Sequence, residues 1–71
     1  MIEIREENPN MGDELHNCDT AQEAMRVIRE ATQSRGKFVM VDGQLKSYDV
    51  IDAEMLGAAQ DITLIGKLKG G

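Results

Sequence analysis

The sequence predicts an α+β fold: a mixed sheet of four to five strands with one main helix packed across one face. Three observations carry this. Apolar and polar residues alternate in "MIEIREE" and "DITLIGKL", the signature of half-buried strands, and "KFVMVDGQ" is a β-rich run closed by Asp-Gly. A single longer stretch, "CDTAQEAMRVIREATQSRG", instead carries its apolar residues at helical spacing. The order strand, strand, helix, strand, irregular segment, strand sets that helix between strand pairs. Its one apolar stripe can then cover one face of a small sheet and leave the other face wet.

Each element has its own justification. In the first strand Ile2 and Ile4 share a face. "NPNMG" is turn chemistry, because Asn-Pro and Gly both break regular structure, and it leads into "DELHNC". That segment is read as the partner strand, since a strand that ends in a turn needs one, with Leu15 as its inward residue. Thr20 and Glu23 have the spacing of a capping box, in which each side chain satisfies a backbone donor at the helix start. Ala21, Ala24, Met25, Val27, Ile28 and Ala31 then form the apolar face, and Gly36 stands where a left-handed C-terminal cap is wanted. "KFVMVDGQ" is a strand closed by an Asp-Gly turn. "LKSYDVIDAEMLGAAQ" reads as short helical turns that contribute Leu45, Val50, Ile51, Met55 and Leu56 to the core. The last strand turns Ile62 and Leu64 to one side.

Composition bounds the function. A chain of 71 residues makes one domain and buries only about 60% of its unfolded surface, so a deep enclosed active site has no room. Residues 1–66 are assigned to that domain and 67–71 to a flexible tail, because chain ends without anchoring contacts stay disordered. One cysteine and one histidine supply neither an internal disulfide nor a metal set, and no cofactor is expected. The formal net charge of -5 disfavours nucleic acid and anionic membrane as partners. Every acid but Asp61 lies within residues 1–54, whereas Lys67 and Lys69 make the ending basic. No apolar run reaches membrane-spanning length. An unpaired cysteine suits a reducing compartment, so a cytoplasmic monomer is expected.

Other candidate groups have plain readings. Cys18 precedes the helix cap, where the helix dipole lowers a thiol pKa, but no activating motif surrounds it and a buried structural thiol is the better reading. His16 is expected on the surface of its strand. The acids of "REEN" are expected to be solvated at a strand end rather than to act as a catalytic pair.

The element order is that of a β-grasp, and here a resemblance enters. "VMVDGQ", "DVIDAEML" and "DITLIGKLKGG" resemble the second half of a ubiquitin-like chain, down to the basic–leucine–basic spacer and the diglycine. The same outline is similar to the sulfur carriers of thiamin and molybdopterin synthesis, although "KLKGG" is the more modifier-like ending. The resemblance implies a non-enzymatic protein modifier of prokaryotic style. The Gly71 carboxylate would be adenylated by an activating enzyme, and a conjugating enzyme or cysteine carrier would then pass it to target proteins, with a deconjugating peptidase as a further partner. Gly70 and Gly71 suit a narrow channel, since a Cβ would obstruct close backbone approach. Lys67, Leu68 and Lys69 would be read by the activating enzyme, the two lysines steering the tail toward an acidic groove. A sulfur carrier would hold a thiocarboxylate at Gly71, and a non-conjugated interaction module would leave it unmodified.

Alternation also predicts a surface. With Val39 and Val41 inward, Phe38 and Met40 face outward, and with Ile62 and Leu64 inward, Ile65 faces outward. Together with Met11 at the hairpin tip, these residues are expected to form an exposed apolar patch beside the tail that binds partners.

Overall fold

The computed structural model describes residues 1–8 and 12–66. The strands are β1 (Ile2–Glu6), β2 (Glu14–Cys18), β3 (Phe38–Val41), β4 (Gln44–Lys46) and β5 (Ile62–Ile65). The main helix α1 spans Ala21–Ser34, a 3-10 turn covers Tyr48–Val50, and a short helix α2 covers Ala53–Ala58. The strands form one mixed sheet in the order β2-β1-β5-β3-β4. Two antiparallel hairpins, β1/β2 and β3/β4, flank β5, which runs parallel to β1 and antiparallel to β3.

The helix starts at Thr20, whose Oγ accepts from the Glu23 N–H at 3.1 Å. The reciprocal bond falls one residue earlier than a capping box would place it, with the Asp19 N–H donating to Glu23 Oε2 at 3.2 Å. At the other end Gly36 adopts φ +66°, and the Arg35 and Lys37 N–H groups both donate to the Ala31 carbonyl. In the two-residue turn between β3 and β4, Asp42 and Gly43 have φ values of 51° and 82°, the geometry of a hairpin turn whose twist matches its strands. The Asp42 carboxylate accepts from the N–H groups of Gln60 and Asp61 at 2.8 and 2.9 Å, which ties the entry of β5 to this turn.

The core lies between the sheet and the helices. Ile4, Ile28, Val39, Leu56 and Leu64 are its largest fully buried aliphatic side chains, with Cys18, Ala24 and Ala31 beside them and Ile51 and Ile62 nearly as well covered. Ile28 shares this core with Ile4 and Leu64, as the helical spacing predicts.

Five sequence expectations need correction. Leu15 is 59% exposed, while His16 is half-buried and Cys18 fully buried. The register Ile2↔Cys18 and Ile4↔His16 puts those two on the helix side, and alternation then turns Leu15 outward. Leu45 is 62% exposed, because it belongs to β4 opposite Met40 and so lies on the wet face. Val50 is also exposed, since the 3-10 turn directs Tyr48 and Ile51 to the core instead. His16 is half-buried rather than freely exposed, because its ring faces Glu6. Glu6 itself is not solvated but 2% exposed, sharing the inward stripe of Ile2 and Ile4.

Candidate interaction face and the ion cluster behind it

The side of the sheet away from α1 carries the candidate partner surface. Leu15, Arg5, Thr63, Met40 and Leu45 stand side by side in one line across all five strands, each opposite the next in register. A second line sets Phe38 opposite Ile65. Phe38 is 42% exposed, while Met40 and Ile65 are half-buried, so the three described members of the expected patch do share a face. Leu15 and Leu45 extend it to both edges of the sheet, and sequence reasoning missed them by assigning both to the core. Thr63, at the centre of the row, is almost covered and donates through its hydroxyl to Asp61 Oδ2 at 3.2 Å. The row therefore has an apolar group at each end, Met40 between, and Arg5 as its one charge. Met11, Lys67, Leu68, Lys69, Gly70 and Gly71 lie outside the described residues.

On the other side of β1, the Glu6 carboxylate is the feature that the sequence reading missed. Arg35 grips it with two bonds, Nε to Oε2 at 2.8 Å and Nη2 to Oε1 at 3.0 Å. His16 Nε2 lies 2.9 Å from Oε1, and Lys37 Nζ stands 3.9 Å from Oε2. The Lys37 ammonium also donates to the Glu7 carbonyl at 2.5 Å and to Asn8 Oδ1 at 3.0 Å. Four elements converge here: β1 supplies the carboxylate, β2 the imidazole, the end of α1 the guanidinium, and the approach to β3 the ammonium. The Glu7 N–H donates to the Leu64 carbonyl, so the cluster adjoins the strand that leads to the tail. One signal was available, because Glu6 continues the period-2 stripe of Ile2 and Ile4.

Burial on its own would push the Glu6 carboxyl up, but the hydrogen bonds from Arg35 and His16, with their charges, hold it below the ordinary glutamate value. A carboxylate with a depressed folded pKa adds stability that is present above its unfolded pKa and lost as pH falls through the folded one. Arg35→Ala removes the main depressing group and leaves a buried charge. Complete loss of a partner to a buried ion costs about 3–5 kcal/mol, but 43% of the Arg35 side chain is exposed, so solvent screening reduces the expected loss to about 1–2 kcal/mol. That loss should be present near neutral pH and shrink as pH falls through the folded Glu6 pKa, where the carboxyl is protonated in both proteins and the depressed pKa no longer contributes. Urea unfolding followed by circular dichroism at a series of pH values checks this, and a loss that is the same at every pH would contradict the assignment.

The remaining candidates are structural groups. Cys18 is 1% exposed. Burial pushes its thiol up, and the nearby Glu23 and Asp19 carboxylates push it the same way, the opposite of an activated nucleophile. Among the described residues no group of His, Cys, Asp and Glu is placed to hold a metal ion, and no helix is long and apolar enough to cross a membrane. No family model matches this chain, and no curated protein or solved structure matches it either.

Proposed function

We propose that this chain is a β-grasp protein modifier of the ubiquitin-like kind, activated at the Gly71 carboxylate and conjugated to target proteins. One observation carries the reading: β5, the strand that runs into "KLKGG", lies in the centre of the sheet beside the apolar row, between β1 and β3. The tail is thereby rooted next to a surface able to dock the enzyme that processes it. In the proposed chemistry, a Gly71 carboxylate oxygen attacks the α-phosphorus of ATP bound by the activating enzyme, and pyrophosphate leaves. A thiolate or amine then attacks the acyl carbon, AMP departs with the bonding pair, and a thioester or amide remains. The chain supplies the electrophile and the partner supplies the catalytic groups. Gly71 serves either as the chain's own terminus or after cleavage behind it.

Mass spectrometry of the protein isolated from its native host tests the reading. Lys69 immediately precedes the diglycine, so trypsin would leave a Gly-Gly remnant on each modified target lysine. Replacement of one oxygen by sulfur on the intact chain would instead identify a sulfur carrier. A chain that is always unmodified would leave an interaction module.

The outer face and the tail have separate tasks in this scheme. Met40→Ala or Ile65→Ala should weaken partner binding by more than about 1 kcal/mol if these residues are anchors of the interface. Adenylation of Gly71 at saturating enzyme should persist in both. Calorimetric titration against the activating enzyme, alongside pyrophosphate release, separates the two effects.

A further inference from the structure

The chain has two aromatic residues, Phe38 and Tyr48, and both line the same groove. It is a cavity of about 430 Å³ at the β3–β4 edge, walled also by Thr32, Leu45 and Lys46. The charged residues of its lining are Lys37 and Lys46, on a chain whose formal net charge is -5. The Lys37 ammonium is committed to Glu7, Asn8 and the Glu6 carboxylate, so it offers the groove chiefly its methylene stem. Lys46 has no ion-pair partner among the described residues. This is a local reversal of the protein's charge, placed beside exposed apolar surface.

The groove adjoins an open strand edge. β4 is the end strand of the sheet. A two-residue hairpin turn closes on a hydrogen-bonded pair, here Val41 with Gln44, and bonding then alternates along the ladder. Gln44 and Lys46 therefore direct their backbone groups toward β3, and Leu45 directs its N–H and C=O away from the sheet. An incoming extended chain would find one backbone donor and one acceptor there, the mode in which peptides add to sheet edges.

We propose that this edge binds an extended acidic peptide of a partner protein. Its backbone pairs with Leu45, an aliphatic side chain enters between Phe38 and Tyr48, and a following carboxylate meets Lys46. Charge decides the occupant. A basic segment would be repelled by the Lys46 ammonium, and a purely apolar one would leave that ammonium without a counter-charge in a partly covered site. The proposal does not depend on conjugation, because it concerns neither the tail nor Gly71.

The test is an amide NMR titration of the full chain with a capped synthetic peptide, a leucine-rich extended stretch followed by a run of glutamates. The control peptide has glutamine at each glutamate. Shifts are expected on Phe38 and across Leu45–Tyr48, with binding of the acidic peptide at least about tenfold tighter than the control and weakened by salt. Lys46→Glu should remove that preference, and the dispersed spectrum of the variant confirms that it is folded. Leu45→Ser, at an exposed position, should weaken both peptides alike. Equal binding of the two peptides, shifts confined to Leu15, Arg5 and Ile65, or no shift at millimolar peptide would each overturn the proposal.

Discussion

Removal of Gly70 and Gly71 should abolish formation of the adenylate and of any thioester with the activating enzyme, while the folded domain persists. The proposed chemistry uses the carboxylate at the end of a segment without side chains, and truncation transfers that carboxylate to Lys69. An activating site that admits a bare backbone excludes a residue with a long side chain at the same depth, so the loss should be complete rather than graded. Stability should barely change, because among the described residues the buried core side chains run from Ile4 to Leu64 and changes away from a core usually stay within about 0.5 kcal/mol. Pyrophosphate release and thermal unfolding, measured on the same truncated protein, separate the two consequences. Retained conjugation, or unimpaired cellular work by the truncated chain, would remove the modifier and sulfur-carrier readings together.

Ile28→Ala should cost roughly 2–5 kcal/mol, the range for emptying a buried isoleucine site. The upper half of that range is expected, for a reason specific to this helix. The residues that α1 buries fully are Ala24, Ile28 and Ala31. The alanines let the helix sit close to the sheet, and Ile28 is the one large side chain projecting from between them. Its flanking methyl groups cannot move in to refill the space. A loss of that size is a large fraction of the ~5–15 kcal/mol available to a small domain. Ile28→Val keeps most of the volume and should lose only about 0.5–1.5 kcal/mol. Urea unfolding of the pair provides the check, and a loss below about 0.5 kcal/mol for the alanine variant would mean that Ile28 is not the central contact.

What was legible in the sequence follows from which forces act locally. Alternation placed Ile4, Val39, Val41, Ile62 and Leu64 on the buried face, because a strand's period fixes relative facing before any partner is known. The start of α1 at Thr20 and its end before Gly36 were equally readable, since caps are made by neighbours in the chain. In β2, Leu15 is the one aliphatic residue and so was assigned inward. The choice of face there is made by pairing with β1, which brings Cys18 opposite Ile2. Leu45 failed for a related reason: the Asp-Gly turn that ends β3 also begins a strand, and the outer face of that strand extends the row through Met40. The ion cluster was the least readable feature. Arg35 and Lys37 reach Glu6 and its neighbours across a separation of 29 or 30 residues, and no local pattern announces such a meeting. The alternation did point Glu6 inward, but its residue type suggested otherwise.

The placement of β5 also determines when this protein can fold. Its registers join Arg5 to Thr63 and Glu6 to Leu64, so the middle of the sheet is stitched by residues almost a whole chain apart. Closing so long a loop carries an entropic cost before any contact repays it, and topologies dominated by such distant pairings form slowly. Until β5 arrives, the flanking hairpins lack their common neighbour, and the inner edges of β1 and β3 are open to strands from other molecules. Synthesis that stalls before Ile62 would therefore release a chain with two unpaired edges and an uncovered helix stripe, an aggregation-prone species rather than a smaller domain. The strand that roots the tail is also the strand that commits the chain to its native state.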